Sequence, residues 1–78
     1  MDRSQEAEIK AHLMHSSEEF QKLAKQHSEY DRLVAELEAK SHLTEQEEVE
    51  EHRLKKLKLH LKDVMEQMVH DAAQQAVA

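Results

Sequence analysis

The sequence predicts an all-α fold: an antiparallel two-helix hairpin of coiled-coil character, with a short N-terminal helix before it, associating into a helical bundle. Three observations predict this. The 78 residues include no Gly and no Pro, the strongest breakers of a helix. Large apolar residues recur at alternating steps of three and four, the stripe of helices that pack side by side. Where the stripes break, Ser and Thr stand three residues ahead of Glu, a pattern that starts helices.

Taken in order, Ile9 and Leu13 continue the helical period backwards and predict a helical segment over about residues 5–14. Ser16 with Glu19 forms a first capping box and marks a start or bend. Phe20, Leu23, His27, Tyr30, Val34 and Leu37 form the first stripe, on a helix over about 17–40 whose last turn carries Lys40, where a cation is favoured. A turn follows at about 41–43. Thr44 with Glu47 is the second capping box, and Glu48, Glu50 and Glu51 place negative charge near the positive end of the next helix. That helix, over about 45–72, carries the second stripe: Leu54, Leu57, Leu61, Val64 and Met68. Residues 1–78 therefore read as one helical-hairpin domain with arms about 37 Å long.

So short a loop forces its helices to run antiparallel. It pairs residues whose numbers add to about 87. Leu37 then opposes Val49, Tyr30 opposes Leu57, Leu23 opposes Val64, and Phe20 opposes Met68. Leu13 falls near Ala73 and Ile9 near Val77. The register puts Asp31 beside Lys58 and brings the like charges Glu38 and Glu51 together. Within helices, Glu6/Lys10, Glu18/Lys22, Glu36/Lys40 and Glu51/Lys55 have the favourable order. Leu33, Leu59, Met65 and Val69 lie off the seam and form a candidate oligomer face. One seam falls short of two closed layers, so the expectation is self-association, most simply a dimeric four-helix bundle.

Seventeen acids against eleven bases give a net charge of −6, which argues against free nucleic acid or an anionic membrane as the main partner. Without Cys there is no disulfide framework, thiolate zinc site or thiol nucleophile. Without Gly there is no glycine-rich phosphate loop. No apolar run approaches the roughly 18 residues of a membrane span. Met1-Asp2-Arg3-Ser4-Gln5-Glu6 shows no apolar signal region, so the expected compartment is the cytoplasm.

The stretch Arg53–Lys62 holds five cations and no acid, and supports an alternative role as a nucleic-acid-associated accessory protein. The five acids at Glu45, Glu47, Glu48, Glu50 and Glu51 on the same helix oppose it, since counterion release needs an excess of positive charge. Seven His invite a metal reading, but neither His-x-x-x-His nor Glu-x-x-His occurs. Glu8/His12, Glu48/His52 and Glu66/His70 read as plain side-chain pairs, and neither a metal nor another cofactor is expected. His27 is the polar member of the first seam, with Asp31 one turn away. Carboxylates spread over exposed helix faces lack a pocket to shift their pKa values, and Ser28, His27 and Asp31 do not converge on a helix. No enzyme is expected.

The blocks Lys10–Met14, Glu19-Phe20 with Leu23, His27 with Asp31, Leu37, Leu43–Glu50 and Arg53–Asp63 resemble the YdcH-like family, small bacterial proteins of unknown function. The resemblance spans about residues 8–70 and is most specific at 54–63. It implies a helical hairpin in a bacterial cytoplasm and supplies no catalytic or binding residues. A GTP-binding label attached to some members does not fit a chain that has no Gly. Ser41 stands where similar sequences often have Pro.

Overall fold

The computed structural model describes residues 2–77, and the side chains of residues 2–75. The described residues form three α-helices and no strand: α1 is Arg3–Ser16, α2 is Glu18–Glu38 and α3 is Glu45–Val77. The molecule measures 51 × 20 × 18 Å. Its long dimension matches α3, whose 33 residues rise about 50 Å. α2 packs against α3, and α1 touches both.

Side-chain capping sets the helix ends in the absence of Gly and Pro. Asp2 starts α1 by accepting a hydrogen bond from the Gln5 backbone N–H at 2.8 Å. α2 starts at Ser17, one residue later than the expected box at Ser16. Ser17 is extended, with φ −115° and ψ 112°, and its Oγ accepts from the Phe20 N–H at 3.1 Å. The residue three positions on is Phe20, so no Glu returns the bond. Ser16 instead closes α1 and donates its hydroxyl to the His12 carbonyl at 2.8 Å. The break between α1 and α2 is narrow. Ser17 N–H still bonds Leu13 O at 2.9 Å, Gln21 N–H bonds Ser17 O at 3.0 Å, and the Gln21 side chain donates to Met14 O at 2.6 Å.

The connection between α2 and α3 spans 39–44, longer than the expected 41–43, because α2 ends at Glu38. Lys40 therefore lies beyond the helix and reaches forward to an ion pair with Glu47. The second capping box forms in both directions: Glu47 N–H donates to Thr44 Oγ1 at 3.1 Å, and Thr44 N–H donates to Glu47 Oε1 at 3.0 Å. At its far end α3 runs to Val77, five residues past the expected stop at about 72.

The buried apolar side chains are Phe20, Val34, Leu54, Leu61 and Val69. Two of the expected packing relations change, for reasons of helical phase. Val49, expected opposite Leu37, is 68% exposed. It lies five residues before the buried Leu54, about 140° around α3. The stripe at 54, 57 and 61 runs back instead through Glu50 and Glu47, both half-buried. Val69, expected on an outer face, is only 2% exposed. A straight helix drifts about 20° per heptad against a 3.5 repeat, so the inward stripe moves from position 68 towards 69 along a helix this long. Met68 is correspondingly half-buried. Ile9, Leu13 and Ala73 are half-buried as well, while the expected Ile9–Val77 contact lies outside the described side chains.

Candidate functional site

An open groove of about 420 Å³ lies between α2 and α3. Val34, Ala35 and Leu59 supply its apolar surface, and His27, Asp31, Glu38, Lys55, Lys58 and Lys62 its charged and polar rim. Helical spacing gathers these groups: 27, 31, 34, 35 and 38 share one side of α2, and 55, 58, 59 and 62 one side of α3.

Two ion pairs cross the groove. Lys58 Nζ lies 2.6 Å from Asp31 Oδ1, the pair expected from the sequence. Lys55 Nζ lies 2.9 Å from Glu38 Oε1 and 3.6 Å from Glu51 Oε1. The expected conflict between Glu38 and Glu51 is thereby resolved, because one ammonium is shared between the two carboxylates. As the α2 partner rises from Asp31 to Glu38, the α3 partner falls from Lys58 to Lys55. The hydrogen bond and charge of Lys58 hold the Asp31 carboxyl below its ordinary value, and those of Glu38 hold the Lys55 ammonium above its own. Outside the groove, Lys40 and the Thr44 N–H lower Glu47, while Arg53 lowers Glu50, with Arg53 Nε 3.1 Å from Glu50 Oε2.

The basic stretch is thus largely occupied, since Arg53, Lys55 and Lys58 each sit against a carboxylate. Among the pairs expected within helices, Glu6–Lys10 forms at 3.0 Å and Glu51–Lys55 at 3.6 Å. Glu36 binds Arg32 at 3.3 Å instead, and Lys40 binds Glu47. Among the described residues, no three His, Asp or Glu side chains come together in a way that could hold a metal ion.

Of the seam residues, Phe20, Val34, Leu54 and Leu61 are buried, and Leu23, His27, Tyr30, Leu37, Leu57, Val64 and Met68 are half-buried. The four residues of the expected oligomer face do not come together. Val69 is in the core and Met65 is half-buried. Leu59 lines the groove and is 58% exposed. Leu33, exposed at 36%, precedes buried Val34 by one residue and so lies on the flank away from Ala35 and the groove. Val49, which sequence reasoning placed in the seam, is the largest exposure among them. Its displacement by 140° from the Leu54 stripe was the signal that could have found it.

These features, a charged helical pair with a narrow apolar seam, define a small all-α protein. Residues 20–69 match the family described as "Protein of unknown function (DUF465)", and the chain belongs to it. The YdcH-like family is part of that family, in agreement with the resemblance read from the sequence. The match begins at Phe20, after the break at Ser17, and leaves α1 outside. No curated protein and no solved structure matches the chain. No helix among the described residues is long and apolar enough to cross a membrane.

Proposed function

We propose that this chain is a non-enzymatic structural or protein-interaction module: an antiparallel α2–α3 hairpin that self-associates into a helical bundle in the cytoplasm. One observation carries the reading. Five apolar side chains are buried among the described residues, while Val49, Leu59, Met14 and Leu33 remain substantially exposed. So small a core is marginal on its own, and a partner that covers apolar side chains adds the missing burial.

The chemistry of the groove supports a non-enzymatic role. Asp31 is held ionised by Lys58, so its pKa moves away from the range in which a carboxyl shuttles protons at neutral pH. Nucleic acid is not part of the proposal, because three of the five cations in 53–62 already face carboxylates. Sedimentation and thermal melting over a wide range of protein concentration test the proposal. Self-association predicts a mass and a Tm that rise with concentration. A stable monomer with a constant Tm overturns it.

A further inference from the structure

We propose that α3 carries a second seam on its outer face, along which two copies of the chain pair antiparallel; this rests on the self-association proposed above and assigns its interface. Val49, His52, Lys56 and Leu59 follow one another at steps of three, four and three, the spacing of a coiled-coil stripe. Val49 and Leu59 are the two most exposed large apolar side chains among those described. They stand five residues before and five after the buried Leu54. Each is therefore about 140° around the helix from it, off the buried stripe, with Leu59 also on the rim of the groove between α2 and α3.

That symmetry fixes a register. A two-fold axis at the level of Leu54 sets Val49 of one copy against Leu59 of the other, and repeats the contact by symmetry. Charge gives nearly the same register independently. Glu45, Glu48 and Lys62 take part in none of the ion pairs among the described residues. With Val49 against Leu59, Lys62 of the second copy comes level with Gln46, between Glu45 and Glu48, within about 3 Å of rise of either. In the same register the acids at 45–51 of each copy run beside residues 57–63 of the other, which carry Lys58 and Lys62. Arg53 and Lys55 of one copy come level with Lys55 and Arg53 of the other. His52 faces Lys56, and Asp63 of the second copy faces Glu45 beside that same Lys62. Two apolar contacts and screened charge make this a weak, salt-sensitive, isologous dimer.

The side chains concerned are exposed, so their substitution leaves the hairpin core intact. Sedimentation equilibrium at low salt is expected to show monomer and dimer, with less dimer at high salt. Leu59→Glu or Val49→Glu is expected to raise the dissociation constant at least tenfold. Glu48→Lys and Lys62→Glu each weaken the dimer, and the two together restore it. The chain has no Cys, so disulfide trapping reports the register directly. A Val49→Cys chain mixed with a Leu59→Cys chain is expected to form the mixed disulfide ahead of either homodisulfide. A dimer indifferent to all four charge and apolar substitutions overturns this face while leaving self-association standing. A wild-type monomer at every concentration overturns both.

Discussion

The two ends of the α2–α3 pair are held by different physics. At the end distal to the connection, Phe20 and Val69 are each 2% exposed, and α1 packs against both longer helices. At the connection end, beyond Val34 and Leu54, no side chain among the described residues is buried. The structure there is held by Lys55 between Glu38 and Glu51, by Lys40 with Glu47, and by the reciprocal Thr44–Glu47 cap. Val49 in this region is 68% exposed. One end relies on exclusion of water and the other on charge and hydrogen bonds in water. They should respond to different perturbations.

The largest effect belongs to the apolar end. Phe20→Ala removes the one fully buried aromatic and is expected to cost about 3–5 kcal/mol, read by chemical denaturation. For a chain with so small a core, that amounts to most of its stability. Val69→Ala follows, at about 1.5–3 kcal/mol. Leu33→Ala provides the contrast: at 36% exposure it should cost well under either. If Leu33→Ala proved as costly as Val69→Ala, the outer flank of α2 would be a covered surface in solution, and the comparison would need a second copy to explain it.

Capping comes next and sharpens the comparison, because both ends use it. Thr44→Ala removes one half of the reciprocal box, and Ser17→Ala removes the hydroxyl that accepts from Phe20 N–H. Each is expected to lower stability by about 1 kcal/mol. The Ser17 change has a second outcome. Ala favours the helix, and only a single extended residue separates α1 from α2. Part of the loss should be recovered by continuous helix, visible as increased helicity. No such recovery is available at Thr44, the last residue of a six-residue connection.

What was legible in the sequence follows the same division. Helical phase and side-chain caps are local, so the stripes and the Thr44–Glu47 box could be read directly, and the Asp31–Lys58 pair, 27 residues apart, followed from the register of the turn. Relations that depend on how far a straight helix drifts from a heptad could not. Val69 falls on the expected outer face because a fixed heptad continues through 68, whereas α3 keeps its own 3.6-residue turn over 33 residues. Val49 is set opposite Leu37 by the estimated turn register although it stands off the Leu54 stripe. The groove escaped for a related reason: Glu38 and Glu51 looked like a clash until a third charge, Lys55, was seen between them. Pairwise reading misses a shared counter-ion.

His27 tests the boundary between the two ends. It is a half-buried polar residue on the first stripe and lines the groove beside Asp31. His27→Leu extends the apolar seam and is expected to raise stability by up to about 1 kcal/mol, read as a higher Tm. A lower Tm would show that the imidazole holds Asp31 or Lys62 in place, and that the charged network reaches further along α2 than its ion pairs indicate.

The smallest effect is electrostatic and specific to the connection end. Glu47 and Glu50 are held below their ordinary values by Lys40 and Arg53 respectively. A carboxyl lowered by folding contributes stability above its unfolded pKa, near 4, and loses it as pH falls through the lowered native value. Lys55, raised by Glu38, has the opposite sign: its contribution is full below the unfolded value, near 10.5, and is lost as pH rises through the raised one. The connection end should therefore loosen at both extremes and hold a plateau between. All these groups face solvent, so about 1 M salt should flatten the profile by screening. Amide hydrogen exchange resolves the two ends. Protection over 45–55 should fall with added salt while protection over 61–70 is unchanged, because burial of Leu61 and Val69 does not depend on charge. Equal loss at both ends would mean that α3 opens as one cooperative unit, and that the ion pairs support the apolar end as well as their own.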